Sequence, residues 1–226
     1  MPNNSWDRIY KREVREGYVD KKTGKYLYYD VEKPHEDLKK VVSILKKNRV
    51  KRILYLGCGA GRNLIPLVRA GFEVQGIDLS SEGLKLIRDK LGRERLRAEL
   101  RVGDVFRKLP YPPGYFDAVI SVQVLNHNVE KKILGTIGEI TRVLKPNGMI
   151  FITLPGMFAN GKMRYYYNHD SREIAPRTRM PTKGEEKGLP HFYYNKAIIR
   201  KHFKEFRSLE SWKDKLDYYC FIARKK

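Results

Sequence analysis

Gly57-Cys58-Gly59-Ala60-Gly61-Arg62-Asn63 follows directly on Arg52-Ile53-Leu54-Tyr55-Leu56 and leads into Leu64-Ile65-Pro66-Leu67-Val68. An aliphatic run feeding a glycine cluster and then a helical pattern reads as strand, tight turn, helix. Glycine lets the backbone turn sharply and approach a ligand closely. The N–H groups that open the helix then face that ligand. About twenty residues after Gly59 comes Phe72-Glu73-Val74-Gln75-Gly76-Ile77-Asp78, a second short strand ending in a carboxylate. A carboxylate at that place accepts hydrogen bonds from the hydroxyls of a ribose. Turn and carboxylate together point to a nucleoside-containing cofactor.

The third glycine narrows the class. A dinucleotide site wants Gly-x-Gly-x-x-Gly. Here that last position is Arg62, and the glycine falls one residue early at Gly61. The spacing Gly-x-Gly-x-Gly resembles the motif of class I S-adenosylmethionine-dependent methyltransferases. Gly103-Asp104-Val105, Leu109-Pro110-Tyr111, Tyr115-Phe116-Asp117-Ala118-Val119-Ile120-Ser121 and Glu139-Ile140-Thr141-Arg142-Val143-Leu144-Lys145-Pro146-Asn147-Gly148 follow in the family's order. The resemblance covers roughly residues 50 to 155 well and the tail more loosely.

The pattern along the chain predicts helices over about 36–48, 62–70, 80–91 and 130–144, and strands over about 52–56, 72–77, 97–102, 116–121 and 149–154. Alternating strands and helices argue for an α/β fold with a parallel sheet. A helix after 195 and strands over about 207–212 and 217–224 look like the family's closing antiparallel hairpin. The expected fold is thus Rossmann-like: a mostly parallel seven-stranded sheet with helices on both faces. The expected division is an N-terminal cap segment (1–34), a cofactor-binding core (35–155), a cap insertion (156–194) and the C-terminal part of the core (195–226). Both cap segments are rich in aromatics. Trp6, Tyr10, Tyr18, Tyr26, Tyr28 and Tyr29 lie in the first, and Phe158, Tyr165, Tyr166, Tyr167, Phe192, Tyr193 and Tyr194 in the second. A long aromatic-rich loop is more often functional than disordered. In the family, such segments commonly build the cap over the acceptor.

The resemblance implies S-adenosyl-L-methionine as cofactor. It places that cofactor against Tyr55, Gly57, Cys58, Gly59, Gly61, Asn63, Asp78, Leu79, Asp104, Val105, Ser121 and Gln123. Asp78 would meet the ribose. Asp104 and the Val105 N–H would meet the adenine, and the stretch from Ser121 would pass the methionine end. One departure matters: the family usually carries an acidic residue at the place of Tyr55. A phenol accepts a hydrogen bond but bears no charge at neutral pH. His127 and His191 are the candidate catalytic groups, each a base or an acceptor-positioning group, with a structural histidine as the alternative. Methyl transfer is an in-line displacement in which orientation is the main device, and a base is needed only where the acceptor must lose a proton.

Composition bounds the rest. The chain has 226 residues, 41% hydrophobic, and a net charge of +21. A length of that order predicts one domain with room for insertions. No apolar stretch reaches the length of a membrane span, and the opening residues lack a signal peptide's apolar region. Cys58 and Cys220 are the only cysteines, which suggests free thiols and a cytoplasmic protein. The five histidines show no ligand spacing, so no metal is expected. The positive charge suggests nucleic acid. Yet its densest cluster, Lys39 to Arg52, leads into the amino end of the first strand, whereas ligands on such sheets bind at the carboxyl ends. The favoured reading is therefore a methyltransferase acting on a small or medium-sized acceptor. The alternatives are an RNA methyltransferase, consistent with the charge, and a non-catalytic cofactor-binding module, suggested by Tyr55.

Overall fold

The computed structural model describes residues 5–16, 33–164, 170–184 and 186–226. Tyr18, Tyr26, Tyr28, Tyr29 and Tyr165 to Tyr167 of the expected caps lie outside the described residues. The chain divides into two compact units, Met1–Asp104 and Val105–Lys226.

The first unit runs α1 (Ser5–Glu16), α2 (Leu38–Lys47), β1 (Arg52–Leu56), α3 (Leu64–Arg69), β2 (Glu73–Asp78), α4 (Ser81–Arg93) and β3 (Glu99–Val102). β1 pairs in parallel with β2, Ile53 opposite Val74, and β2 with β3, Gly76 opposite Leu100. Ile53, Leu54, Tyr55 and Leu56 are all buried, as expected of a parallel strand covered on both faces. α2 buries Leu38, Val41 and Leu45 and leaves its lysines outside. That stripe follows the helical period, and Leu45→Ala would cost about 2–5 kcal/mol. α4 begins where Ser80 Oγ accepts the Gly83 N–H at 3.0 Å, an N-cap worth about 1 kcal/mol. Its buried face is Leu84, Ile87 and Leu91.

The second unit opens with β4 (Phe116–Val122), α5 (Glu130–Val143) and β5 (Leu144–Pro155). It closes with α6 (Lys196–His202), β11 (Phe206–Lys213) and β12 (Tyr218–Lys225). β4 and β5 are parallel, and β12 is antiparallel to both β5 and β11. The order β11-β12-β5-β4-β1-β2-β3 makes a seven-stranded, mostly parallel sheet with the expected antiparallel end. The Pro146-Asn147-Gly148 turn, expected ahead of a strand at 149, instead loops out within β5. Leu144 pairs with Phe116, Met149 with Ala118, and the residues between are skipped. Asn147 takes φ 61° there, a conformation asparagine tolerates.

The motif from Glu139 to Gly148 has a mechanical reason. Glu139 accepts the Leu109 N–H at 2.8 Å, while Arg142 donates to the Leu109 and Tyr111 carbonyls at 3.0 and 2.8 Å. Together they pin the turn ahead of β4. Lys145 Nζ reaches Asp117 at 2.6 Å.

The stretch after β5 was expected to be a long loop. It folds instead into short strands: β6 (Phe158–Ala159), β7 (Lys162–Met163), β8 (Ser171–Ala175), β9 (Thr178–Pro181) and β10 (His191–Phe192). β6 pairs with β7, and β10-β9-β8 form a separate sheet. Phe192, Tyr193 and Tyr194 are buried, so these aromatics serve as packing. Arg177 Nε holds the Tyr193 carbonyl at 2.7 Å. Among the described residues, no helix is long and apolar enough to cross a membrane.

Candidate functional site

The glycine turn is built as the sequence predicts. Gly57, Gly59 and Gly61 take φ of 67°, 53° and 87°, the left-handed region that favours glycine. A Cβ on Gly61 would sit 2.8 Å from Ile87 Cγ1, so α4 packs directly on the turn. The Gly57 N–H donates to the Ile77 carbonyl at 2.8 Å, tying the turn to β2. Asp78 completes the tie. Its Oδ2 accepts the Gly59 N–H at 2.7 Å and its Oδ1 the Ser80 N–H at 2.8 Å. Asp78 is 8% exposed. Burial, with the nearby Asp7 charge, raises its pKa, against which the Ser80, Gly59 and Leu79 backbone N–H groups act. The same burial, with Asp78 nearby, pushes the Cys58 thiol well up, so Cys58 is a small packed group and no nucleophile.

Tyr55 and Asn63 form a second layer. Both are buried, and Asn63 Nδ2 donates to the Tyr55 hydroxyl at 2.9 Å. Asn63 Oδ1 accepts the His35 N–H at 2.7 Å. Burial raises the Tyr55 pKa further above its ordinary value, so the phenol stays neutral. Leu79, directly after Asp78, is 40% exposed and offers an apolar surface beside the carboxylate. Asp104 is half-buried at the end of the unit, and Val105 is buried with its carbonyl accepting from Thr136 Oγ1 at 3.1 Å.

Two residues of α1 join this site that sequence reasoning did not single out for it. The Tyr10 hydroxyl lies over Gly59, in the space a Cβ would take. Asp7 Oδ1 accepts from Ser80 Oγ at 2.6 Å and from the Glu82 N–H at 3.2 Å. A carboxylate at the start of α4 meets the positive end of the helix dipole. The available signal was the spacing of Trp6, Ile9 and Tyr10, one face of a helix.

In the second unit the informative place is the carboxyl end of β4. Ser121 is fully buried, and among the described residues its Oγ has no hydrogen-bond partner. Gln123 turns the chain with φ 58° and donates its N–H to Thr153 Oγ1 at 2.8 Å. A positive φ is uncommon for glutamine and costs roughly 1–2 kcal/mol, strain that collects at functional sites. Asn126 follows, 3% exposed, its Oδ1 also without a partner among the described residues. Its carbonyl accepts the Phe192 N–H at 2.7 Å, which brings β10 onto this loop.

That contact brings the two candidate histidines together. The His127 and His191 rings meet edge to face with centroids 4.8 Å apart. Glu186 Oε2 lies 3.4 Å from His191 Nε2, and both side chains are almost fully buried. Burial first, and His127 second, lower the His191 pKa to about 2. Burial also lowers that of His127, opposed by the Glu186 charge and a hydrogen bond to the Gln123 backbone. Glu186 was not legible as a partner, because it and His191 belong to a turn and a strand whose approach no local pattern announces.

The first unit fits a nucleoside cofactor on its own terms. It supplies a turn stripped of Cβ atoms, a buried carboxylate held by backbone N–H groups, and the exposed Leu79. The sequence profile of a methyltransferase domain matches residues 53–148. The tRNA N(3)-cytidine methyltransferase METTL2B of Homo sapiens is 29% identical over 121 residues, covering 50% of this chain and 32% of that protein. A ubiquinone biosynthesis O-methyltransferase of Xanthomonas campestris pv. campestris is 32% identical over 102 residues, covering 45% of this chain and 42% of that one. The match thus spans less than half the length of these relatives. The fold resembles that of an S-adenosylmethionine-dependent methyltransferase from Clostridium acetobutylicum, with TM-score 0.64 and 14% identity over 96% of each chain. Glycine turn, β2 carboxylate, strand order and matched profile agree: the chain carries a methyltransferase domain of the class I kind, whose cofactor is S-adenosylmethionine.

Proposed function

We propose that the protein methylates a small or medium-sized acceptor at a hydroxyl, with His127 as the base. The Glu186–His191–His127 cluster, with Glu186 and His191 buried and His127 half-buried, carries this reading. Three titratable side chains in contact, two of them away from bulk water, are a costly arrangement for packing alone. Bound S-adenosylmethionine supplies an electrophilic methyl group on a sulfonium. The acceptor O–H proton goes to His127 as the new C–O bond forms and the S–C bond breaks, leaving a neutral thioether. The hydrogen bond to the Gln123 backbone fixes one ring nitrogen of His127 as donor, so the other carries the lone pair. A lowered pKa keeps that lone pair available at neutral pH. His191, with Glu186 at Nε2, orients the pair. Asp78 binds the ribose, and Tyr55 leaves the cofactor's ammonium without a charged partner at that place. The strands of residues 156–194 form a cap over the acceptor. The Xanthomonas O-methyltransferase among the relatives is in keeping with a hydroxyl acceptor.

A panel of phenols and hydroxy acids with labelled cofactor tests this. General-base catalysis contributes roughly 10²–10⁴-fold, so His127→Gln should lose turnover by about that factor and keep cofactor affinity. A variant turning over at the wild-type rate would reject His127 as base. A second reading, methylation of RNA, is favoured by the net charge of +21 and by the tRNA methyltransferase among the relatives. Incorporation of label into one species of total tRNA would establish it over the first.

A further inference from the structure

The turn after β4 is tied down by its backbone. The Gln123 N–H reaches Thr153 Oγ1 at 2.8 Å, and the His127 N–H reaches the Val124 carbonyl at 3.0 Å. The Leu125 carbonyl accepts from the Tyr194 hydroxyl at 3.2 Å, and the Asn126 carbonyl from the Phe192 N–H at 2.7 Å. The side chains of this turn are therefore carried on a fixed frame. One of them is left unsatisfied. Asn126 is 3% exposed, yet among the described residues its Oδ1 accepts no hydrogen bond. Folded chains rarely leave a buried amide oxygen without a donor, and each such oxygen calls for a ligand or an ordered water.

The place of Asn126 says what that donor belongs to. Asn126 directly precedes His127, and neighbouring Cα atoms lie about 3.8 Å apart. Its carbonyl holds Phe192, the residue after His191, and the His127 and His191 rings meet with centroids 4.8 Å apart. The carboxamide thus shares one corner of the fold with the histidine pair, within the span of one small molecule. An amide oxygen accepts hydrogen bonds, cannot donate them, and carries no full charge. It selects a neutral O–H or N–H and disfavours a carboxylate or an ether, which only accept.

We infer that Asn126 Oδ1 recognises a second donor on the acceptor, a neutral O–H or N–H next to the hydroxyl that gives its proton to His127, a placement that rests on His127 being the base. The product is then a poor second substrate. Once one hydroxyl is a methyl ether, the other meets His127 only by turning the ether, which has no proton to give, onto Asn126 Oδ1. Catechol, phenol and guaiacol, the monomethyl ether of catechol, test this with labelled cofactor. The wild-type chain should favour catechol over both others by at least about tenfold in kcat/KM and stop after one methyl group. Asn126→Leu should bring catechol down to the level of phenol and leave phenol unchanged. Asn126→Asp keeps an acceptor oxygen without the amide donors, so it should keep the preference. His127→Gln should slow all three and leave their ratios, so the two readings fail separately. Equal use of catechol and phenol by the wild-type chain needs no variant to observe. It would overturn the inference, give the Asn126 oxygen to an ordered water, and leave the base reading standing. A folded Asn126→Leu that keeps the preference would overturn it as well. No turnover of any of the three would overturn the hydroxyl reading and this inference with it.

Discussion

Asp78→Asn separates the two tasks that the structure gives one carboxylate. Asp78 clamps the glycine turn through the Gly59 and Ser80 N–H groups, at 2.7 and 2.8 Å. Asparagine keeps one acceptor oxygen and turns an NH₂ towards the other N–H. One buried donor is then orphaned, a cost of about 1–3 kcal/mol. Relief from burying a charge, the same burial that raises the Asp78 pKa, offsets part of it. For a chain of this size a loss of 1 kcal/mol lowers the melting temperature by about 2–4 °C, so the expected drop is roughly 2–12 °C. Scanning calorimetry with and without S-adenosylhomocysteine reads both tasks. Ligand stabilisation scales as RT ln(1 + [L]/Kd), and a tenfold weaker ribose contact removes about 1.4 kcal/mol of it. A variant that melts with the wild type would refute the clamp. A variant with the full ligand-induced shift would refute the ribose contact.

Burial and His127 hold the His191 pKa at about 2 against an ordinary 6.5. The folded chain therefore takes up no proton there as pH falls below 6.5, while the unfolded chain does. Stability is present above 6.5 and lost below it, by at most about 1.4 kcal/mol per pH unit, with Glu186 acting against the loss. His191→Asn should flatten the melting temperature between pH 6.5 and about pH 5, and an unchanged slope would count against a neutral buried His191. Tyr55→Phe removes the acceptor for Asn63 Nδ2 and should cost about 1–3 kcal/mol, read by urea denaturation. Full stability would mean that Asn63 finds another partner without loss.

The first unit was legible because its signals are local. The apolar run 52–56 is β1 residue for residue, the Ser80 cap starts α4 as expected, and glycine at 57, 59 and 61 announces its own backbone. Contacts made at long range were not legible. Nothing local says that Asp7 caps a helix more than seventy residues on, or that Tyr10 lies over Gly59. Gln123 gives no hint of a positive φ, because glutamine does not favour it. The β5 loop-out was read as a plain turn, since Pro-Asn-Gly punctuates both alike. His127 and His191 were each picked singly, but their contact depends on β10 returning to Asn126. Such a pairing is a property of tertiary structure.

Calorimetric titration with S-adenosylhomocysteine, run beside a nicotinamide dinucleotide, tests the central claim most directly. Gly61 in place of the later glycine, with Asp78 at the end of β2, predicts saturable heat with the first, none with the second, and loss of the first in Asp78→Ala. Binding of the dinucleotide instead, or binding of S-adenosylhomocysteine that Asp78→Ala leaves untouched, would contradict the account.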